Sequence, residues 1–149
     1  MYEKAIELIN SDCPEHRLSG QCDWYLTFAN IGLGEFVKAR ENIANAEKNW
    51  DGPLLTSEER MNALVSRYLL FLEDTSDPVK QQETYRELRD WYSVMTLYWP
   101  TDPKYHESLA LAYSFLGEFE KAKAEAQIVL KLDPSRKDAV EQFINSLAQ

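Results

Sequence analysis

Residues 103–134, PKYHESLALAYSFLGEFEKAKAEAQIVLKLDP, carry the clearest structural pattern in the sequence. Leu109 and Tyr113 lie four residues apart, on one face of a predicted helix. Gly117 then interrupts the helical pattern, because glycine is the usual residue just beyond the end of a helix. A second helical pattern runs on to Pro134, which has no N–H group to continue a helix. The stretch therefore predicts two helices joined by a tight turn.

The order and spacing of these residues, together with the small Ala110 and Ala122 at the expected helix crossing, resemble the tetratricopeptide repeat. That repeat is a helix–turn–helix unit of about 34 residues that stacks with its neighbours. The resemblance implies an all-α fold, a right-handed α-solenoid. Proteins of this family bind other proteins far more often than they catalyse reactions, so the resemblance implies a binding function only in general terms.

The same signature recurs near the amino terminus. GEFVKA at residues 34–39 matches GEFEKA at residues 117–122. Tyr2 and Ala5 precede Phe36 and Ala39 of the first signature by one repeat length, about 34 residues. The pattern predicts an N-terminal half repeat at residues 2–12, which starts in the middle of a repeat and leaves open that the chain is a fragment of a longer one.

A degenerate repeat at residues 57–100 lies between the repeat at residues 20–53 and the clear repeat at residues 103–134. The distance between the two signatures exceeds two repeat lengths by about 15 residues. Aligning the helical patterns places about 4 of them near residues 52–57 and about 11 near residues 72–80. We therefore expect an expanded middle repeat whose inter-helix loop is irregular.

Local signals mark where helices begin. Thr56 and Glu59 have the spacing of a capping box, in which each side chain satisfies a free N–H group of the first turn. Asp77 and Asp102 each precede a proline, which is tolerated at the first helical position. Residues 136–147 form a last, amphipathic helix that would cap the final repeat. We expect about seven helices, arranged as a half repeat, three helical pairs and a cap.

In the family, the first helices of successive repeats line a concave groove. Relatives that bind acidic peptide tails use lysine, asparagine and arginine there, and only Lys104 of this chain matches that clamp, so the groove is expected to take an apolar or basic segment. Trp91 and Trp99 fall off the packing stripe of their helix and form an alternative interface. Carried over residue by residue, the groove would present Trp24, Tyr25, Phe28, Ile31, Asn62, Ser66, Leu69, Lys104, Glu107, Ser108 and Leu111.

The net charge of −9 disfavours nucleic acid and anionic membranes as partners, since both are negatively charged. The sequence has no apolar run of about 18 residues, so no membrane-spanning helix is expected. It also lacks a leader resembling a signal peptide, and we expect a cytoplasmic protein in which Cys13 and Cys22 are reduced. A disulfide is the alternative, and a periplasmic or extracellular location remains open if the chain belongs to a longer protein.

Recognisable catalytic motifs are absent from the sequence, so we expect neither an enzyme nor a cofactor. Cys13, His16 and Cys22 have ligand-like spacing, but the second half of a zinc site does not follow, and we expect no metal. His106 replaces a tryptophan that many repeats pack between their helices. We therefore expect it to pack rather than to act as a general base.

These patterns predict one domain, residues 1–149, that serves as a scaffold or adaptor for a peptide or a partner domain. One alternative is a small acidic secretion chaperone with the same type of repeat, and another is an accessory domain of a larger enzyme or membrane protein. No earlier helix covers Ile6 and Ile9 in the half repeat. A homodimer through that open end is therefore expected as well.

Overall fold

The computed structural model describes residues 1–13, 20–50, 52 and 54–147, which form eight α-helices and one 3₁₀ turn with no strand among them. The all-α prediction is confirmed, and the eight helices match the number that a half repeat, three pairs and a cap add up to, rather than the rounded seven. The chain divides into two compact units, unit 1 (Met1–Thr75) and unit 2 (Ser76–Gln149). The helices are α1 (Tyr2–Asp12), α2 (Gln21–Gly32), α3 (Phe36–Asn49), α4 (Glu58–Asp74), α5 (Pro78–Tyr98), α6 (Pro103–Phe115), α7 (Phe119–Leu132) and α8 (Lys137–Ser146), and the 3₁₀ turn is Pro134–Arg136.

In unit 1, α2 is the central helix and packs against α1, α3 and α4. Aromatic side chains join α3 to α4: the Phe36 ring lies 5.4 Å from the Tyr68 ring and 5.2 Å from the Phe71 ring, measured between centroids. Ala39 and Ala46 are fully buried on α3, where their small side chains allow a close helix approach.

In unit 2, α6 packs between α5 and α7, and α7 also contacts α8. Tyr105 is fully buried and Leu109 is nearly so. The two alanines predicted at the helix crossing, Ala110 and Ala122, are both buried, in line with a close approach of α6 and α7.

The glycine turns after α2 and α6 have the same geometry. Gly34 and Gly117 have φ angles of +71° and +75°, in the left-handed region that glycine adopts without strain. In each turn the residue after the glycine donates its N–H to a carbonyl of the preceding helix at 2.9 Å, from Glu35 to Asn30 and from Glu118 to Tyr113. The predicted chain breaks are confirmed, and the two signatures produce the same local structure. The right-handed solenoid itself stays a prediction.

Two of the three predicted helix starts are confirmed. The carboxylates of Asp77 and Asp102 accept hydrogen bonds from backbone N–H groups of the following first turns, both at 2.9 Å. The third start is displaced by one residue. The N-cap of α4 is Ser57, whose hydroxyl accepts from the Arg60 N–H at 3.5 Å, and Thr56 lies one position earlier.

The irregular loop predicted in the middle repeat is wrong. Only residues 75–77 separate α4 from α5 along the chain. The additional residues lengthen the helices instead: α4 has 17 residues and α5 has 21, whereas α6 has 13 and α7 has 14. The physical reason is that residues 58–77 contain neither glycine nor proline, so nothing stops α4 before the start signal of α5.

The prediction of reduced cysteines is wrong, because Cys13 and Cys22 form a disulfide. α1 and α2 run antiparallel, which brings the two Cα atoms to 6.1 Å from each other, within the range that a disulfide spans. Sulfurs joined in this way are not thiolate ligands. His16, the third residue of the ligand-like pattern, lies outside the described residues.

Within the described part of the chain, no helix is both long and apolar enough to cross a membrane.

Candidate functional site

An open groove in unit 2 lies between α6 and α8, with α7 as its floor. It has a volume of about 420 Å³ and is open to solvent. Leu111 forms one wall and is 45% exposed, and Phe143 forms the other and is half-buried. The remaining lining residues are Glu107, Ala110, Ala126, Val129, Arg136, Ala139 and Val140.

Small residues create this groove. Ala110, Ala126 and Ala139 come from three different helices, and their methyl groups leave room that larger side chains would fill. Beneath them, Val129 and Val140 belong to a buried cluster that anchors α8 on α7. The groove is therefore a fixed feature of the packing of α8, and its surface is mainly apolar.

One end of the groove carries a charged network. The Arg136 guanidinium donates to the Glu107 carboxylate, which connects the start of α8 with α6. It also donates to Asp133 at 3.1 Å. The negative charge of Glu107 raises the pKa of Arg136, and hydrogen bonds from Ser135 and then from Arg136 lower the pKa of Asp133. The network fixes this end of the groove and leaves the Glu107 side chain half-exposed.

Four predicted groove residues lie on α6, and they divide into two groups. Glu107 and Leu111 line the groove. Ser108 is half-buried and instead hydrogen-bonds with Tyr92 of α5, whose pKa is raised by burial. Lys104 is exposed at the start of α6, with its ammonium group 5.1 Å from the centre of the Tyr105 ring.

On α2 of unit 1, the structure corrects the prediction for Trp24 and Ile31. Trp24 is 7% exposed and Ile31 is completely buried, so neither presents a surface to a peptide. The reason is that α1, α3 and α4 all pack on α2 and cover most of its circumference. Of the four predicted α2 residues, Tyr25 is 57% exposed, and Phe28 is half-buried beneath the Arg67 guanidinium.

The three predicted residues of α4 are more accessible. Ser66 and Leu69 are exposed, and Asn62 is half-buried. The Ser66 hydroxyl donates to the Asn62 carbonyl at 2.7 Å, a bond within α4 itself. Together with Tyr25, Ser66 and Leu69 are the parts of the predicted groove that remain exposed in unit 1.

The alternative interface at Trp91 and Trp99 is only partly accessible, since both side chains are half-buried. The Trp99 ring contacts those of Tyr98 and Tyr105, with centroids 5.8 and 5.7 Å away. The most exposed large apolar side chain at this end of α5 is Leu97, at 80%. These tilted ring contacts therefore cover part of the Trp99 side chain.

His106 is buried, as expected for a packing residue, and it also forms polar contacts. Its Nδ1 atom lies 2.7 Å from Oε2 of Glu125, and its Nε2 atom lies 3.0 Å from the Pro100 carbonyl oxygen. Both ring nitrogens thus have partners, and the side chain holds α6 to α7 and to the turn before α6.

Sequence reasoning missed the contribution of α8 to the groove. Arg136, Ala139, Val140 and Phe143 line it, although the last helix was predicted only as a cap. The apolar spacing of Val140 and Phe143 was a usable signal. It shows that α8 packs on α7, but not that Ala139 leaves space beside α6.

Among the residues that the structure describes, no group of three or more His, Cys, Asp or Glu side chains could hold a metal ion. A comparison of the chain with protein-family models, with curated proteins and with solved structures finds no match.

Proposed function

We propose that the chain is a protein-interaction module that binds an apolar segment of a partner in the groove between α6 and α8. The observation that carries this proposal is the groove itself, an open, mainly apolar depression bounded by Leu111 and Phe143. The resemblance of residues 103–134 to the tetratricopeptide repeat supports a binding role, because such repeats serve mainly in protein recognition.

The groove favours a segment that inserts one or two apolar side chains. Its volume of about 420 Å³ includes space open to solvent, so only a few side chains fit. Leu111 is the main exposed apolar side chain on the α6 side. Burying it together with a partner side chain would stabilise the complex by roughly 1.5–3 kcal/mol for each fully buried large aliphatic residue. The carboxylate of Glu107, half-exposed at the rim, would favour a hydrogen-bond donor at the adjacent position of the partner.

The disulfide changes the proposed compartment. Disulfides persist in oxidising compartments and are rare in the cytosol. The Cys13–Cys22 bond therefore favours a periplasmic or extracellular location over the predicted cytoplasmic one. Blocking free thiols in intact cells, followed by mass analysis of the isolated chain, tests this location, and two blocked cysteines would contradict it.

The binding proposal is tested by selecting peptides from a random display library against the intact chain. We expect selected peptides to share an apolar residue and to lose at least about tenfold in affinity for Leu111→Glu, since a charge then occupies the wall of the site. Ala139→Leu, which fills the groove without adding charge, should weaken binding as well.

Matched controls are available in the same unit. Leu97→Glu places the same substitution on a more exposed leucine outside the groove, and Ala124→Leu enlarges an exposed alanine of α7. Both controls should bind selected peptides as the wild type does. Selected peptides that bind all four variants equally would show that the binding surface lies elsewhere.

A further inference from the structure

The first helix is fixed to unit 1 at its two ends. At the carboxyl end, Cys13 is bonded to Cys22 in the first turn of α2. At the amino end, the Tyr2 ring lies directly against Gly32, so closely that a methyl group on Gly32 would overlap the ring. Between these two points, Ile6 and Ile9 continue the same helical face at spacings of four and three residues. That face therefore lies toward α2, although no residue of α1 is fully buried.

Unlike the other helices of unit 1, α1 contributes no residue to the core. Each of α2, α3 and α4 contributes at least four buried residues. The side-chain hydrogen bonds of Ser11 are to Leu8 and Asp12, within α1 itself. A helix of 11 residues is only marginally formed in water when nothing holds it. The stability of α1 therefore depends on its attachment to α2.

The rest of unit 1 does not depend on α1 in the same way. Phe36, Tyr68 and Phe71 pack together between α3 and α4, and α2 contacts both of those helices. Loss of α1 would uncover one side of α2, where Leu26 and Gly32 are half-buried, and the parts of α3 and α4 that border depressions beside α1. The core formed by α2, α3 and α4 can then persist without α1.

We propose that the Cys13–Cys22 disulfide acts as a redox-controlled latch that keeps α1 seated on α2, and that reduction releases α1 while α2, α3 and α4 stay folded. This inference concerns unit 1 and is independent of the groove between α6 and α8. The oxidised chain has α1 seated, and the reduced chain exposes the side of α2 that α1 covers.

The chemistry is thiol–disulfide exchange with a dithiol. A thiolate of the dithiol attacks one sulfur of the Cys13–Cys22 bond, which forms a mixed disulfide and releases the other cysteine as a thiolate that takes up a proton. The second thiol of the reagent then closes a cyclic disulfide and releases the first cysteine. Two electrons and two protons pass from the dithiol to the protein. The reverse exchange, with a disulfide oxidant, closes the latch.

Amide hydrogen exchange of the intact chain, with and without dithiothreitol, tests the proposal. Under reduction we expect the amides of α1 to exchange about tenfold faster or more, because the released helix is only marginally stable. The amides of α2, α3 and α4 should retain their protection. Two outcomes would overturn the latch: unchanged protection of α1 after reduction, or equal loss of protection throughout unit 1.

Cys13→Ser separates the latch from other effects of the reagent. Cys13 is half-buried and lies outside the core, whereas Cys22 is buried, so the substitution at Cys13 disturbs packing less. Without any reductant, this variant should show the fast exchange of α1 seen in the reduced wild type. Adding dithiothreitol to it should cause no further change, and a further acceleration would contradict the proposed role of the disulfide.

Discussion

The Nδ1 atom of His106 lies 2.7 Å from Oε2 of Glu125, and this contact joins α6 to α7 in a mostly buried position. On the opposite side of the ring, Nε2 faces the Pro100 carbonyl oxygen at 3.0 Å. A side chain predicted only to fill space therefore also places its two ring nitrogens beside polar groups of other elements, a carboxylate on α7 and a carbonyl in the turn before α6. Buried polar groups are costly only when they are left without one.

The first prediction concerns this contact. Glu125→Leu leaves a ring nitrogen of His106 without its partner, and we expect the free energy of unfolding to fall by roughly 1–3 kcal/mol. Urea denaturation measures the change. Glu120→Leu is the matched control on the same helix, because the Glu120 side chain is 89% exposed, and it should alter stability by less than about 0.5 kcal/mol. Equal losses for the two variants would contradict a structural role for the contact.

The second prediction concerns the crossing of α6 and α7. Ala122 has no exposed surface, so Ala122→Leu should overpack the crossing and cost on the order of 1–3 kcal/mol. Ala124, two residues further along α7, is exposed, and Ala124→Leu should be nearly neutral. Thermal melts of both variants decide the matter, and a full-stability Ala122→Leu variant would mean that the crossing lies elsewhere.

The parts of the fold that depend on local chemistry could be predicted from the sequence. Gly34 and Gly117 were predictable as helix ends because only glycine enters the left-handed region freely. Asp77 and Asp102 were predictable as caps for an equally local reason. Each places a carboxylate that can accept hydrogen bonds from the first helical turn directly before a proline. The lengths of α4 and α5 were missed because a repeat alignment assigns additional residues to a loop, although the local sequence continues the helix.

Other features depended on tertiary packing and could not be read from the pattern. The burial of Trp24 and Ile31 follows from three helices packing on α2, which the sequence of α2 alone does not reveal. The disulfide follows from the antiparallel arrangement of α1 and α2. The groove beside Leu111 exists because α6 and α8 border the same side of α7, an arrangement of segments that are far apart along the chain.

The third prediction concerns the contact between the Tyr2 ring and Gly32. Gly32→Ala should improve the helix propensity of α2, but its methyl group overlaps the Tyr2 ring, so the variant should lose stability. When Tyr2→Ala is already present, the overlap is gone, and Gly32→Ala should then be neutral or stabilising by up to about 1 kcal/mol. Thermal unfolding of the two single variants and the double variant completes the cycle. If Gly32→Ala changes stability in the same direction with Tyr2 and with Tyr2→Ala, the Tyr2 ring does not lie against Gly32 in solution.

The fourth prediction concerns acid stability. Hydrogen bonds from Lys121 and then from Arg89 lower the pKa of Glu118 below its ordinary value. A carboxylate whose pKa is lower in the folded state binds protons more readily when unfolded. Its contribution to stability is therefore complete above the unfolded pKa, near 4.3, and is lost as the pH falls through the folded value.

Glu118→Gln removes this titration, so the stability of the variant should depend less on pH below about pH 4.5 than that of the wild type. Urea midpoints measured between pH 7 and pH 3 give the comparison. Arg89→Gln removes one of the two donors and should reproduce part of the effect. Parallel stability curves for the wild type and Glu118→Gln would contradict the assignment.

The last prediction separates core from binding surface on α2. Trp24 is 7% exposed and contacts Phe28, with ring centroids 4.8 Å apart, so Trp24→Ala should cost roughly 3–5 kcal/mol of stability. Tyr25, the next residue, is 57% exposed, and Tyr25→Ala should change stability by less than about 0.5 kcal/mol. If Trp24→Ala and Phe28→Ala together abolish partner binding, unfolding of unit 1 is then the expected cause. Near-ultraviolet circular dichroism measured alongside peptide binding distinguishes unfolding from the loss of a binding contact. A combined variant that stays fully folded and yet binds nothing would show that these aromatics belong to the binding surface.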